Sequence, residues 1–166
     1  MSLKSIDGKN VVTEDVKKLC SSHEGADTRI ILHCNNVAIN SPESSVMLVR
    51  SPDTDVFILL LRLVTNINQT LLFDTGTADK HRLANVQAVA KDLRDEINLA
   101  LVAQYSFTGC DTTSAFVRRE KVKPLTLKKH PEFLPVLHAL GSRVDIEDRV
   151  FKDLEQFTSD VWKQVG

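Results

Sequence analysis

The chain has no stretch of apolar residues long enough to span a bilayer, and its first residues, Met1-Ser2-Leu3-Lys4-Ser5, lack the apolar core of a signal peptide. Its three cysteines, Cys20, Cys34 and Cys110, are odd in number and show no CxxC spacing, which argues against a disulfide framework and for a reducing compartment, nuclear or cytoplasmic. The net charge of -1 offers no global attraction for a polyanion, so any nucleic-acid partner has to be drawn by a local patch. Low-complexity tracts and internal repeats are missing too. What remains, 166 residues that are 42% hydrophobic and 26% charged, suits a single domain with a buried core.

Three acidic clusters sit where apolar runs meet turns: His23-Glu24-Gly25-Ala26-Asp27, Ser51-Pro52-Asp53-Thr54-Asp55 and Thr108-Gly109-Cys110-Asp111-Thr112-Thr113. Thr13 followed by Glu14 and Asp15 reads as a capped helix start running to about Leu19. Ser21 or Ser22 would cap a second helix carrying Ala26, Ile30, Ile31 and Cys34, with Asn35-Asn36 as its stop and Glu24 and Asp27 in its first turn. Val46-Met47-Leu48-Val49 is a continuous apolar run, as expected of a strand covered on both faces. The residues from Phe57 to Val64 read as a helix and Thr70 to Phe73 as a second strand, which makes a strand-helix-strand unit with parallel pairing. Helical spacing recurs over 86–93, 96–105, 128–140 and 146–165, and the last third holds no convincing strand. The expected fold is α/β with a mainly parallel sheet and a helical C-terminal part: a core over about 13–113 and an extension over about 114–166.

Glu24 and Asp27 are three residues apart and share a helical face, while Asp53 and Asp55 lie at the mouth of a strand, where open parallel sheets bind ligands. Gathering such carboxylates is unfavourable unless a cation neutralises them. Magnesium or manganese, with oxygen ligands and retained waters, resolves that cost and suits phosphodiester hydrolysis. An alternative reading stays open: acidic residues early in a helix are favoured by capping and by the helix dipole, and Gly109-Cys110-Asp111-Thr112 can be a plain turn.

The order and wording of the clusters resemble the flap-endonuclease group of PIN-like nucleases, the asteroid-type branch in particular. The resemblance covers about residues 13–142 and rests on Glu24-Gly25-Ala26-Asp27, Asp53-Thr54-Asp55 and Gly109-Cys110-Asp111. It implies a three-layer PIN-like fold, cleavage of DNA or RNA, and Glu24, Asp27, Asp53, Asp55 and Asp111 around a divalent metal. Downstream, Arg118, Arg119, Lys121, Lys123, Lys128 and Lys129 form a basic tract where the related nucleases hold the phosphate backbone; alone, it could equally be a solvated face.

The chain departs from the family in placing Gly25 where a carboxylate is usual, and Ser114-Ala115-Phe116-Val117 where a Gly-rich hairpin is usual. An N-terminal strand bearing an early Asp is also not expected here. The sequence thus reads as a partial member, with a catalytically inactive binding module as the alternative function. An open sheet edge would then invite a partner chain or a second copy. A haloacid-dehalogenase-type phosphatase reading of Asp53 and Asp55 leaves Glu24 and Asp27 unused, and Cys20, His23, His33 and Cys34 match no common zinc spacing.

Overall fold

The computed structural model describes residues 2–5, 11–14, 17–20, 22, 25–76, 80–109, 126–140 and 147–163. They fall into two compact units, Met1–Val86 and Gln87–Gly166.

The first unit opens on an antiparallel pair of strands, β1 (Ser2–Ser5) and β2 (Val11–Glu14), with Leu3 opposite Thr13. This corrects two expectations, that of a helix from Thr13 and that of no N-terminal strand. Only a short 3-10 turn, Lys17–Leu19, is helical there, because Val11, Val12 and Thr13 are β-branched and pair with a neighbouring strand.

Helix α1 (Ala26–Asn40) begins after Gly25 rather than at Ser21 or Ser22, and it runs through Asn35-Asn36 to Asn40. Its continuation is secured from outside. Gln69, 3% exposed, donates from Nε2 to Ala38 O (2.8 Å) and Ser41 O (3.0 Å), satisfying carbonyls that a helix end leaves unpartnered.

A turn then leads to β3 (Val46–Arg50), α2 (Thr54–Leu63) and β4 (Thr70–Thr75), with β3 and β4 parallel and Leu48 opposite Leu72. The strand-helix-strand unit therefore forms as its apolar runs dictate. A third strand, β5 (Arg82–Asn85), joins β4 antiparallel, so the sheet has the order β3-β4-β5 and is mixed rather than mainly parallel. One face is buried: Met47, Val49, Leu71 and Phe73 lie beneath α2, whose Val56, Ile58, Leu60 and Leu61 are also buried, and Phe57 and Phe73 sit with ring centroids 5.1 Å apart. On the other face Val46 and Leu48 are each 61% exposed. The expected coverage on both faces is thus corrected to one.

The second unit is helical. Helices α3 (Val86–Leu93, its first residue closing the first unit) and α4 (Asp95–Thr108) are split at Arg94, the one described non-glycine residue with positive φ (φ 67°, ψ 152°). Asn98 bridges the corner, donating from Nδ2 to Ala90 O at 2.9 Å. A side chain in that backbone region costs on the order of 1–3 kcal/mol, whereas glycine's extra freedom in the unfolded chain costs only about 0.4–1 kcal/mol. Arg94→Gly is therefore expected to stabilise the protein by about 1 kcal/mol, measured by urea denaturation; a loss of stability would show that the corner is unstrained.

The segment expected as one helix over 128–140 is broken into α5 (Thr126–Lys129), a 3-10 turn at Pro131–Phe133 and α6 (Leu134–Ala139). Pro131 and Pro135 lack the amide hydrogen that a continuous helix needs, and each sits at the start of its own short turn instead. His138 Nε2 lies 2.7 Å from Glu96 O; a carbonyl can only accept, so that nitrogen carries the hydrogen and ties α6 to α4. Helix α7 (Asp148–Lys163) buries Leu154 and Phe157, while Phe151, which the sequence places on the same apolar stripe, is 55% exposed.

Candidate functional site

The best-defined polar corner of the first unit lies at the carboxyl ends of β3 and β4. Ser51, only 8% exposed, continues the ladder by donating its backbone N–H to Asp74 O at 3.1 Å. Its Oγ accepts the N–H of Asp53 at 3.1 Å, and Asp53 Oδ1 accepts the N–H of Asp55 at 2.9 Å. Asp53 is thereby the N-cap of α2, in extended backbone (φ -88°, ψ 129°), and Asp55 falls in the first helical turn. One carboxylate oxygen of Asp53 is used by the cap. Its Oδ2 has no hydrogen-bond donor among the described residues.

Asp74, at the end of β4, belongs to the same corner and was not singled out from the sequence. Its Oδ1 is 3.2 Å from His81 Nδ1 and its Oδ2 is 3.6 Å from Arg50 Nε. The signal was present in Phe73-Asp74-Thr75-Gly76, an acidic residue closing a strand just before a turn glycine, and only the pairing of β4 with β3 gives it meaning.

Asp27 is in the first turn of α1, behind an extended Gly25 whose carbonyl accepts Thr28 Oγ1 at 3.0 Å. Gln69 fastens the other end of α1 to the start of β4. Among the described residues, no three His, Cys, Asp or Glu side chains come together as a group able to hold a metal ion. Asp53 and Asp55 form a pair joined through the helix cap, with Asp74 engaged by Arg50 and His81.

Glu24, Asp111, Arg118, Arg119, Lys121 and Lys123 lie outside the described residues. Lys128 and Lys129 fall in α5, where Lys129 is exposed. The imagined zinc set gains nothing from the structure: His33 is exposed while its neighbour Cys34 is buried, and burial pushes the Cys34 thiol above its ordinary value, disfavouring the thiolate a metal needs. No described helix is long and apolar enough to cross a membrane. Comparison with protein-family models, curated proteins and solved structures gives no match.

The corner offers the carboxylate oxygens of Asp53, Asp55 and Asp74 and, beside Asp74, the imidazole of His81.

Proposed function

We propose that the chain is a PIN-like, divalent-metal-dependent nuclease of the flap-endonuclease type, cutting phosphodiester bonds in DNA or RNA. The observation that carries this reading is the placement of Asp53 and Asp55 at the carboxyl end of β3 in a parallel strand-helix-strand unit, the position at which such sheets bind ligands. The resemblance names Mg2+ or Mn2+ with Glu24, Asp27, Asp53, Asp55 and Asp111 as its ligands; of these the structure joins Asp53 and Asp55, through the helix cap, and a metal held there would supply an activated water and charge for the leaving oxygen. The protein's own part is positional. The cap to Asp55 N–H fixes the Asp53 carboxylate through Oδ1. Arg50 and His81 hold Asp74 at the rim, where its charge is balanced. Arg118, Arg119, Lys121, Lys123, Lys128 and Lys129 bind phosphates, giving a salt-dependent affinity.

A labelled single-stranded or flap oligonucleotide incubated with Mn2+ tests the proposal. Asp53→Asn retains a good cap and removes only the charge, so a drop of at least about 100-fold in cleavage with unchanged stability is expected, and likewise for Asp55→Asn. Equal rates in wild type and both variants would overturn it. Gly25 offers a second arm: its φ is -67° and an added Cβ would meet only Thr28 Oγ1 at 3.6 Å, so Gly25→Glu fits without strain. Restoring the family's carboxylate there should raise the rate.

One observation favours a second reading, a PIN-like module that binds nucleic acid or protein without cutting: Gly25 stands where the resembled family has a carboxylate. Oligonucleotide binding with no cleavage, in wild type and Gly25→Glu alike, is its signature.

A further inference from the structure

A cavity of about 390 Å³ opens within the second unit, at the corner between α3 and α4. That volume lies in the range of small-molecule sites, about 300–1,000 Å³, which combine apolar walls with a few convergent polar groups. Its apolar wall is built by Ile97 and Leu127, both buried, and by the half-buried Leu134. The wall is held in place, since the bond from His138 to Glu96 O ties α6 to α4. Asn98 fixes the corner itself, through its Nδ2 to Ala90 O and through its backbone N–H to Arg94 O at 3.1 Å.

Three charged side chains line the cavity: Asp92, Arg94 and Glu96. Asp92 is already engaged with another group. The other two are not, for neither the Arg94 nor the Glu96 side chain has a hydrogen bond or ion pair among the described residues, although they are opposite in charge and two positions apart. Arg94 also occupies a backbone region that glycine would hold at little cost. The residue standing there instead carries a planar guanidinium, whose fork of donors matches a carboxylate. An anion alone would meet Glu96 and an amine alone would meet Arg94. A ligand bearing both charges satisfies both, and an apolar group on it covers the wall.

We propose that this cavity binds a free α-amino acid with an apolar side chain, its carboxylate on Arg94, its ammonium on Glu96 and its side chain against Ile97, Leu127 and Leu134. The inference stands apart from the nuclease reading, which uses none of these residues.

Isothermal titration of the full chain with L-leucine tests it. A Kd on the order of 0.1 mM is expected, with leucinamide, which lacks the carboxylate, and N-acetyl-leucine, which lacks the ammonium, at least tenfold weaker. Arg94→Gly should weaken leucine at least tenfold while raising the urea midpoint, a combination that a merely structural arginine would not give. Glu96→Gln leaves the backbone carbonyl that His138 uses and should weaken leucine at least tenfold with N-acetyl-leucine unchanged. Absence of leucine binding up to about 10 mM, or unchanged leucine affinity in either variant, overturns the proposal. So does binding of leucinamide or N-acetyl-leucine as tight as that of leucine, which would assign the cavity to one end of a peptide.

Discussion

Gly76→Ala is expected to destabilise the first unit by at least about 3 kcal/mol. Gly76 follows β4 with φ 102°, a region costly to any residue with a side chain by about 1–3 kcal/mol. Space adds to the cost. A Cβ at this position would overlap the carbonyl oxygen of Lys80 and lie 3.0 Å from its carbonyl carbon, and these are backbone atoms that no side-chain rotation can move. The chain between 76 and 80 would have to open. That disturbs the pairing of Thr75 with Arg82 and draws His81 away from Asp74, so the damage reaches the candidate site. Hydrogen exchange over 70–85 in the full-length protein checks this: protection should fall steeply there and stay near wild type in 148–163. A change below about 1 kcal/mol would mean the turn relaxes freely.

Phe157→Ala should cost about 3–5 kcal/mol and act on the second unit. Phe157 has no exposed surface and meets Phe133 edge-on at 5.2 Å and Phe107 at 6.2 Å between ring centroids, joining α7 to α4 and to the turn before α6. Removing the fully buried ring leaves a cavity beside Phe133 and Phe107 that close-packed neighbours cannot fill without repacking. Phe157→Leu retains most of the volume and should cost less than about 1.5 kcal/mol. Helical circular dichroism followed through urea denaturation gives the midpoints. A Phe157→Ala midpoint equal to that of Phe157→Leu would show that the aromatic cluster contributes little.

Much of the first unit was legible because its signals are local. A four-residue apolar run ending at Ser51-Pro52-Asp53 states a strand and its stop, and Asp53 capping α2 follows from the preference of Asp for an unpartnered N–H. The helices over 86–93 and 95–108 were likewise given by apolar spacing. The N-terminal strands were misread because Thr13-Glu14-Asp15 imitates a helix cap, while the competing hint, Asp7-Gly8 between two short β-prone stretches, carries weight only once a partner strand exists. Pro131 and Pro135 were visible breakers outweighed by the helical spacing around them.

The candidate site divides the same way. Asp27, Asp53 and Asp55 stood out from their spacing and position beside apolar runs. Asp74 did not, since its neighbours across the ladder, Arg50 and Leu83, come from distant parts of the sequence.

By itself the sequence determined the β3-α2-β4 unit and the placement of Asp53 and Asp55 at its turn, because capping, turn chemistry and apolar period act within a few residues. Only the tertiary structure decided that Val46 and Leu48 face outward while Met47 and Val49 face the helices. All four are apolar, so nothing in their own chemistry chooses a face. The choice is made by what packs beneath the sheet, through contacts between residues far apart in the chain.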